Sequence, residues 1–589
     1  MSAGHVPQEH QSRASSGDAD LSIALDQSSQ QLPETRLATQ FAQSIDNIQG
    51  HSAQLFGASS EADPWLLRHC QFDEFGMQNF HKQHFRNAGG VPIAGLIPVH
   101  FSISPDELQE SARAETGVST QHDRGAELSQ VVPSEYGPRL VALFCRRVFP
   151  LLPVISRSQL GITPESPSPG LDRLESVPVH LRAAIYASAL PFATDDSHLS
   201  VWQAYSKPSL ARLWRIVYEL MLEEIHQPHL SVLQALLLYL HKSPTDEPSW
   251  ALPDTPFLWS LVGSTVGLAT SLGLQLECVM YGLPSWEKRL RKRLWWAVYA
   301  EDKWRSLLMG RPPYIHRDEW DVDELQSSDF APFQDHAYIP FQWFVELTLI
   351  AASVQSDLYS LTACHALSGD LNASIEKARP LLDRLSTWRS SFPDPSSCPY
   401  AMHFAYLTLV VYVYRALLRP TVQSSRPPHI IDLEDPALDP TIPLGDFGWD
   451  FSDLRDVAPF PAVDVSDSTS RAAVADEVFL TAESCAARVI SSVRGLSFAD
   501  VDGFWPAWSR IGFAVTSNFV LLLLVQAPSA QHVAKTKQLL DLWERSLCSH
   551  GRLWPLVRLG LARLHAFTSR GLARSFFLVA HGGEVGRSA

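Results

Sequence analysis

Five carboxylates crowd one short stretch, Asp318, Glu319, Asp321, Asp323 and Glu324, and grouped carboxylates are the raw material of a Mg²⁺ site. In a helical chain they would suit an enzyme of terpene-cyclase type. They follow Pro312 and Pro313 instead of lying along a helix, so a turn and helix-capping role is the preferred reading. His69, Cys70, His81 and His84 offer softer donors, but their spacing matches no zinc finger, and ordinary packing or surface histidines account for them. The seven cysteines (Cys70, Cys145, Cys278, Cys364, Cys398, Cys485, Cys548) lie at least 34 residues apart. No Cys-x-x-Cys pair exists, and the odd count argues against a disulfide framework and for a reducing compartment. GxGxxG and GxxxxGK[ST] are both missing, and Asp446-Phe447-Gly448 stands without the other kinase motifs. No catalytic, cofactor-binding or metal-ligating residue is therefore expected, and the chain reads as a non-enzyme.

Composition narrows the partners. The 589 residues are 45% hydrophobic and 19% charged, with 17 Trp, which suits a large buried interior. Against 47 basic residues stand 63 acidic ones, a net charge of −16, whereas a surface built to grip phosphate is basic. DNA contact is expected to be indirect. The longest apolar runs, Leu294 to Ala300 and Phe519 to Val525, fall short of the roughly 20 residues of a membrane span. A soluble, intracellular chain without membrane contact is expected.

The elements that position these residues read as helices. Residues 1–60, rich in Ser, Gln and Ala, read as a disordered tail. Residues 61–130 read as an N-terminal ordered segment and linker, in which VPIAGLIPVHFSIS is a short strand or extended piece. From 131 to 423 helical periodicity dominates: Tyr136 to Phe149, a helix from Leu181, one after Pro208, an all-round apolar one from Leu230, one capped by Asp254 or Thr255 and closed at Gly273, and one from Trp286 to Met309. Residues 424–470 break the pattern, and 471–580 read as C-terminal helices packed on the same domain. Period-2 runs are almost absent, so the fold class is all-α, a large helical domain. A helical-repeat scaffold would show periods of about 34–47 residues, and none is detected.

The densest signal is PSWEKRLRKRLWWAVYAEDKWRSLLMGRPPYIHRDEWDVD, from Pro284 to Asp323. Leu290, Leu294, Val298, Leu308 and Trp295, Trp296 and Trp304 make a broad apolar face. Lys288, Arg289, Arg291, Lys292 and Arg293 crowd the first turns, where they oppose the macrodipole unless acids such as Glu287, Glu301 or Asp302 answer them. The basic run reads as a solvated helix face with salt bridges in preference to a nuclear-import signal or phosphate contact.

SLGLQLE, the Trp-Glu-Lys-Arg-Leu-Arg-Lys-Arg-Leu-Trp-Trp run, Asp-Lys-Trp, Gly-Arg-Pro-Pro and Asp-Glu-Trp-Asp-Val together resemble the middle homology region of fungal zinc-cluster regulators, the fungal-specific transcription factor domain. FCRRVFPLLPVISRSQL and LRAAIYASAL are similar to its upstream motifs, and the resemblance covers about residues 130–330. The motif residues are Trp286, Arg289, Arg293, Leu294, Trp295, Trp296, Asp302, Gly310, Arg311 and Pro312. DPWLLRHCQFDEF, HFRNAGGVPIAGLIPVHF and FWPAWSRIGFAVTSNFVLLLLV look similar to a narrower branch, the TamA-type co-activators of nitrogen catabolism. The resemblance implies a nuclear regulator or co-activator of RNA polymerase II genes, working with other transcription factors or co-regulators and with homo- or heterodimers among its expected associations. The family's six-cysteine zinc cluster has no counterpart here, so zinc is expected only if such a cluster precedes this chain.

The break in the helical pattern has chemistry of its own. From Asp432 to Asp467 nine Asp and one Glu face a single Arg, interleaved with Phe447, Trp449, Phe451 and Leu454. Acidic residues keep such apolar groups solvated until a partner groove takes them, so this acidic aromatic loop reads either as an activation or co-regulator contact segment or as an unconstrained insertion, which long loops tolerate cheaply.

Overall fold

The computed structural model describes residues 43–56, 72–73, 75–80, 83–88, 99–106, 123–243, 255–331, 333, 339–392, 398–421, 471–552 and 554–568. The helices of eleven or more residues are α1 (Gly137–Arg147), α2 (Val179–Ala189), α3 (Leu210–Glu224), α4 (Leu230–Leu240), α5 (Pro256–Ser271), α6 (Ser285–Met309) and α7 (Ile339–Val354). They continue with α8 (Leu371–Ser390), α9 (Tyr400–Leu417), α10 (Arg471–Arg494), α11 (Ser509–Val525), α12 (Ala530–Gly551) and α13 (Arg558–Thr568). The all-α class holds, with one small addition described below.

Local chemistry sets the ends. Thr255 caps α5 by accepting from the Leu258 N–H at 3.2 Å, and Ser209 caps α3 through the Arg212 N–H. The C-terminus of α6 is closed two residues before the prolines. Gly310 takes φ +63, its N–H reaches Leu307 O at 3.2 Å, and Arg311 N–H reaches Ser306 O at 2.9 Å, the paired bonds of a left-handed glycine stop. Pro555 falls between α12 and α13, where its ring could not continue a helix.

The core is one large cluster running from Leu128 to Leu564, with α6 inside it in contact with α4, α5 and α7. Leu294 and Trp304 are fully enclosed, and Trp295 and Trp296 nearly so. Helix α9 joins the two halves, packing on α7 and α8 on one side and on α10 and α11 on the other.

The addition is an antiparallel sheet of strands β1 (His51–Phe56), β2 (Met77–Phe80), β3 (Gln83–Asn87) and β4 (His100–Pro105), in the order β1-β4-β3-β2. β4 falls where a short strand was expected. β1 corrects the limit of the expected tail, which reached residue 60. Its neighbour β4 buries His100, Phe101, Ser102 and Ile103 in succession, so no alternation advertises the sheet. Phe101 and Ile103 form a second, smaller core with Cys278, Tyr281 and Leu283. Arg86 ties that core down by donating to the carbonyls of Gln43 at 2.7 Å and Gly282 at 3.1 Å. A helix, Arg124–Val131, also occupies part of the expected linker, capped by Asp123 at the Ala126 N–H.

Since Leu294 is enclosed on all sides, Leu294→Asp would place an unpaired carboxylate in the core at a cost of several kcal/mol. Urea denaturation should then show the cooperative transition lost or moved to far lower urea, and a variant that melts like the unsubstituted chain would contradict this placement of α6.

Candidate functional site

The basic run of α6 is not a solvated face. Arg291, Lys292 and Arg293 are buried, which corrects the sequence reading, and each is answered inside the protein. Arg291 bonds Glu287 at 2.9 Å, one turn earlier, and donates to Leu272 O at 2.7 Å. Lys292 lies 3.5 Å from Asp329 and 3.9 Å from Glu277. Arg293 donates to the carbonyls of Pro153 at 3.1 Å, Ile155 at 2.9 Å and Asp329 at 2.5 Å, so the VFPLLPVIS segment is fastened to α6 by one guanidinium. Burial, with Arg157 and Arg289 alongside, lowers Arg293 to about 9, which leaves it charged at neutral pH. Groups spent on internal carbonyls are not displayed to an import receptor or a phosphate in the folded state. Arg289 and Trp286 lie at the edge of the run, partly exposed, and with Arg293 they line a small crevice.

The second half of α6 holds the turn after it. Asp302 accepts from the N–H groups of Tyr314 at 2.8 Å and Ile315 at 3.0 Å, while Lys303 bonds Asp302 at 3.0 Å and Ile315 O at 2.5 Å. The Gly-Arg-Pro-Pro-Tyr turn is therefore wrapped around one buried carboxylate. Arg311 stacks over Trp259 at 5.2 Å, its carbonyl accepts from Gln355 at 2.8 Å, and Pro312 is exposed. Trp296 donates to Asp323 O at 3.1 Å. The acidic group after the prolines makes turn contacts without capping a described helix: Asp321 accepts from the Glu277 N–H at 2.8 Å, and Asp318 and Glu319 are exposed. Among the described residues no group of three or more His, Cys, Asp or Glu could hold a metal ion.

Glu301 joins α6 to the C-terminal helices. Its carboxylate meets Arg305 at 2.7 Å and His241 at 3.1 Å, and accepts from the indole of Trp508 at 3.1 Å. Arg305 also donates to Leu240 O at 2.6 Å. The Ala507 N–H approaches His241 Nδ1 at 3.3 Å, so that nitrogen accepts and Nε2 carries the hydrogen given to Glu301. Burial works to raise Glu301, but His241 and Arg305 outweigh it and hold the carboxyl at about 2. Trp304, three residues on, donates to Thr348 at 2.9 Å and stacks on Trp508 with centroids 4.6 Å apart. Four segments meet here: the end of α4, the middle of α6, α7, and the lead into α11.

Of the motif residues, the structure brings Arg293, Leu294, Trp295, Trp296 and Asp302 into the core, and leaves Trp286, Arg289, Gly310, Arg311 and Pro312 at its edge. Sequence reasoning missed His241, Arg305 and Trp508. One signal was available: His241 directly follows a mostly apolar helix. Phe447, Trp449, Phe451 and Leu454 lie outside the described residues.

Residues 143–389 match the model of the fungal specific transcription factor domain, a span that includes all of α2 to α7. An uncharacterized transcriptional regulatory protein of Schizosaccharomyces pombe is 26% identical over 380 residues, 63% of this chain and 55% of its own length. The transcriptional activator protein DAL81 of Saccharomyces cerevisiae is 31% identical over 400 residues, covering 59% of this chain and 38% of its own length. Cutinase transcription factor 1 alpha of Fusarium vanettenii is 27% identical over 294 residues, 48% of this chain and 30% of its own length. The chain thus spans about half or less of these relatives. No solved structure matches it.

Because Glu301 sits far below the ordinary carboxyl value of 4.5, its ionised form stabilises the fold above that value, and the contribution is lost as pH falls from 4.5 toward 2. Glu301→Gln should cost ~3–5 kcal/mol at pH 7, because Arg305 stays buried without its counter-charge. In urea titrations the gap to the unsubstituted chain should narrow as pH drops through that window, and a gap that stays constant would show that the ionised carboxylate is not what the site depends on.

Proposed function

We propose that this chain is a nuclear regulator of transcription by RNA polymerase II that works through other DNA-bound factors and co-regulators. The match of residues 143–389 to the fungal transcription factor domain carries this reading, and the residues within it that bear the sequence resemblance, Arg293, Asp302 and the glycine-closed turn after α6, build the centre of the fold. The relatives named as transcriptional regulators and activators support it. The net charge of −16 and the inward-facing basic run support recruitment by partners over direct duplex recognition, which needs phosphate-neutralising and base-reading side chains on the surface. Likeness to an activator, DAL81, over 59% of the chain supports the co-activator role of the TamA-type branch; nitrogen metabolism is the process that branch would imply.

Within this reading residues 424–470 supply the activating contact: acids hold Phe447, Trp449, Phe451 and Leu454 in solution until a co-regulator groove buries them. Fusing the full chain to a heterologous DNA-binding module should raise reporter transcription several-fold, and the 424–470 segment alone should retain a measurable share. Replacing Phe447, Trp449 and Phe451 by Ala should abolish the share of the segment. Background output from the full-chain fusion would overturn the regulator reading, whereas activity of the segment that survives the triple substitution would make that segment a spacer.

A further inference from the structure

The seam that Glu301 closes is hollow on one side. Beside His241 lies a cavity of about 250 Å³. One wall comes from residues within the matched domain, including Phe192, Trp214 and His241, and the other from the C-terminal half, including Phe504, Trp505 and Trp554. Trp214, Trp505 and Trp554 are themselves almost fully buried, so their rings are held in place by the core behind them. Trp505 and Trp554 meet edge to face at 4.7 Å, and Phe504 meets His241 edge to face at 5.6 Å.

Two of the polar groups on the walls, His241 and Asp502, are already paired. His241 is bonded through both nitrogens, to Ala507 and to Glu301. Asp502 is paired with Arg147 at 2.9 Å, and Arg147 in turn bonds Asp195 and lies over Phe192 at 5.7 Å. Arg510 has an interaction of its own. A charged ligand seated against His241 or Asp502 would have to displace one of these pairs, whereas a neutral one needs only to fill the space. Apolar cavities of about 150 Å³ accept benzene, so about 250 Å³ corresponds to roughly ten non-hydrogen atoms, and flat rings make the best use of aromatic walls.

We propose that this seam cavity is a binding site for a neutral, planar, bicyclic aromatic molecule of indole or naphthalene size, gripped between the matched domain and the C-terminal helices. Because both walls must be in place to hold it, bound ligand favours the closed seam by mass action. The proposal deepens the regulator reading, on which its regulatory meaning rests, while binding itself is measured without any transcription readout.

Titration calorimetry of the full chain with indole and with 2-naphthol tests it. One saturable site is expected, with Kd at or below about 1 mM, together with a rise in melting temperature. Phosphate and arginine, as charged controls, should give no saturable heat. Two substitutions fill the cavity from opposite walls, Ser188→Phe and Leu556→Trp, both at lining positions that are only partly buried. Each should weaken binding at least tenfold while the chain still melts cooperatively, and if one fails to fold, the other decides. No saturable binding of either aromatic by the unsubstituted chain would overturn the proposal, as would undiminished binding in a folded variant with the cavity filled. Failure of the reporter fusion with binding intact would leave this site standing and remove only its regulatory meaning.

Discussion

A charge taken out of water must be met inside, and that constraint shapes this molecule around α6. Eight charged side chains of this one helix are buried: Glu287, Arg291, Lys292, Arg293, Glu301, Asp302, Lys303 and Arg305. Leaving any of them unanswered would cost several kcal/mol, so each one dictates the position of something else. Arg293 fixes the 153–155 segment, Asp302 fixes the turn at 314–315, and Glu301 fixes His241 and Trp508. Hydrophobic burial supplies the bulk of the driving force, but it is indifferent to register. The buried charges select one register.

This division explains what was legible in the sequence. The helices were legible because their apolar periods, prolines and caps are local, down to Thr255 and Gly273 in the structure. The destination of the KRLRKR run was not. Amphipathic periodicity ranks Arg291 and Lys292 as solvent-facing, since it has no information about Leu272 O or Asp329, which reach these side chains only through the tertiary fold. Arg293 was recognised as a motif residue without any indication of what it binds. His241 and Glu301 lie 60 positions apart in the chain, and nothing local marks them as partners. The sheet was hidden for a different reason: β4 is buried on successive residues, so the alternation that signals a half-exposed strand is missing.

The same arrangement links the two halves of the molecule. Beside their apolar contacts, the two halves are joined by a buried carboxylate, guanidinium and imidazole. The Glu301 junction stands where the matched domain meets the C-terminal half, and the seam cavity lies against the same histidine. His241 therefore touches both the cavity and Glu301 of α6.

These buried charges make α6 and the C-terminal helices one cooperative unit. Native-state hydrogen exchange, followed by mass spectrometry at increasing denaturant, measures it most directly, because amides that open in one event converge on one free energy. Protected amides of 285–309 and 509–525 should converge on the same opening transition. If 509–525 exchanges through its own lower-energy opening while 285–309 stays protected, the Glu301 junction does not hold the two halves together.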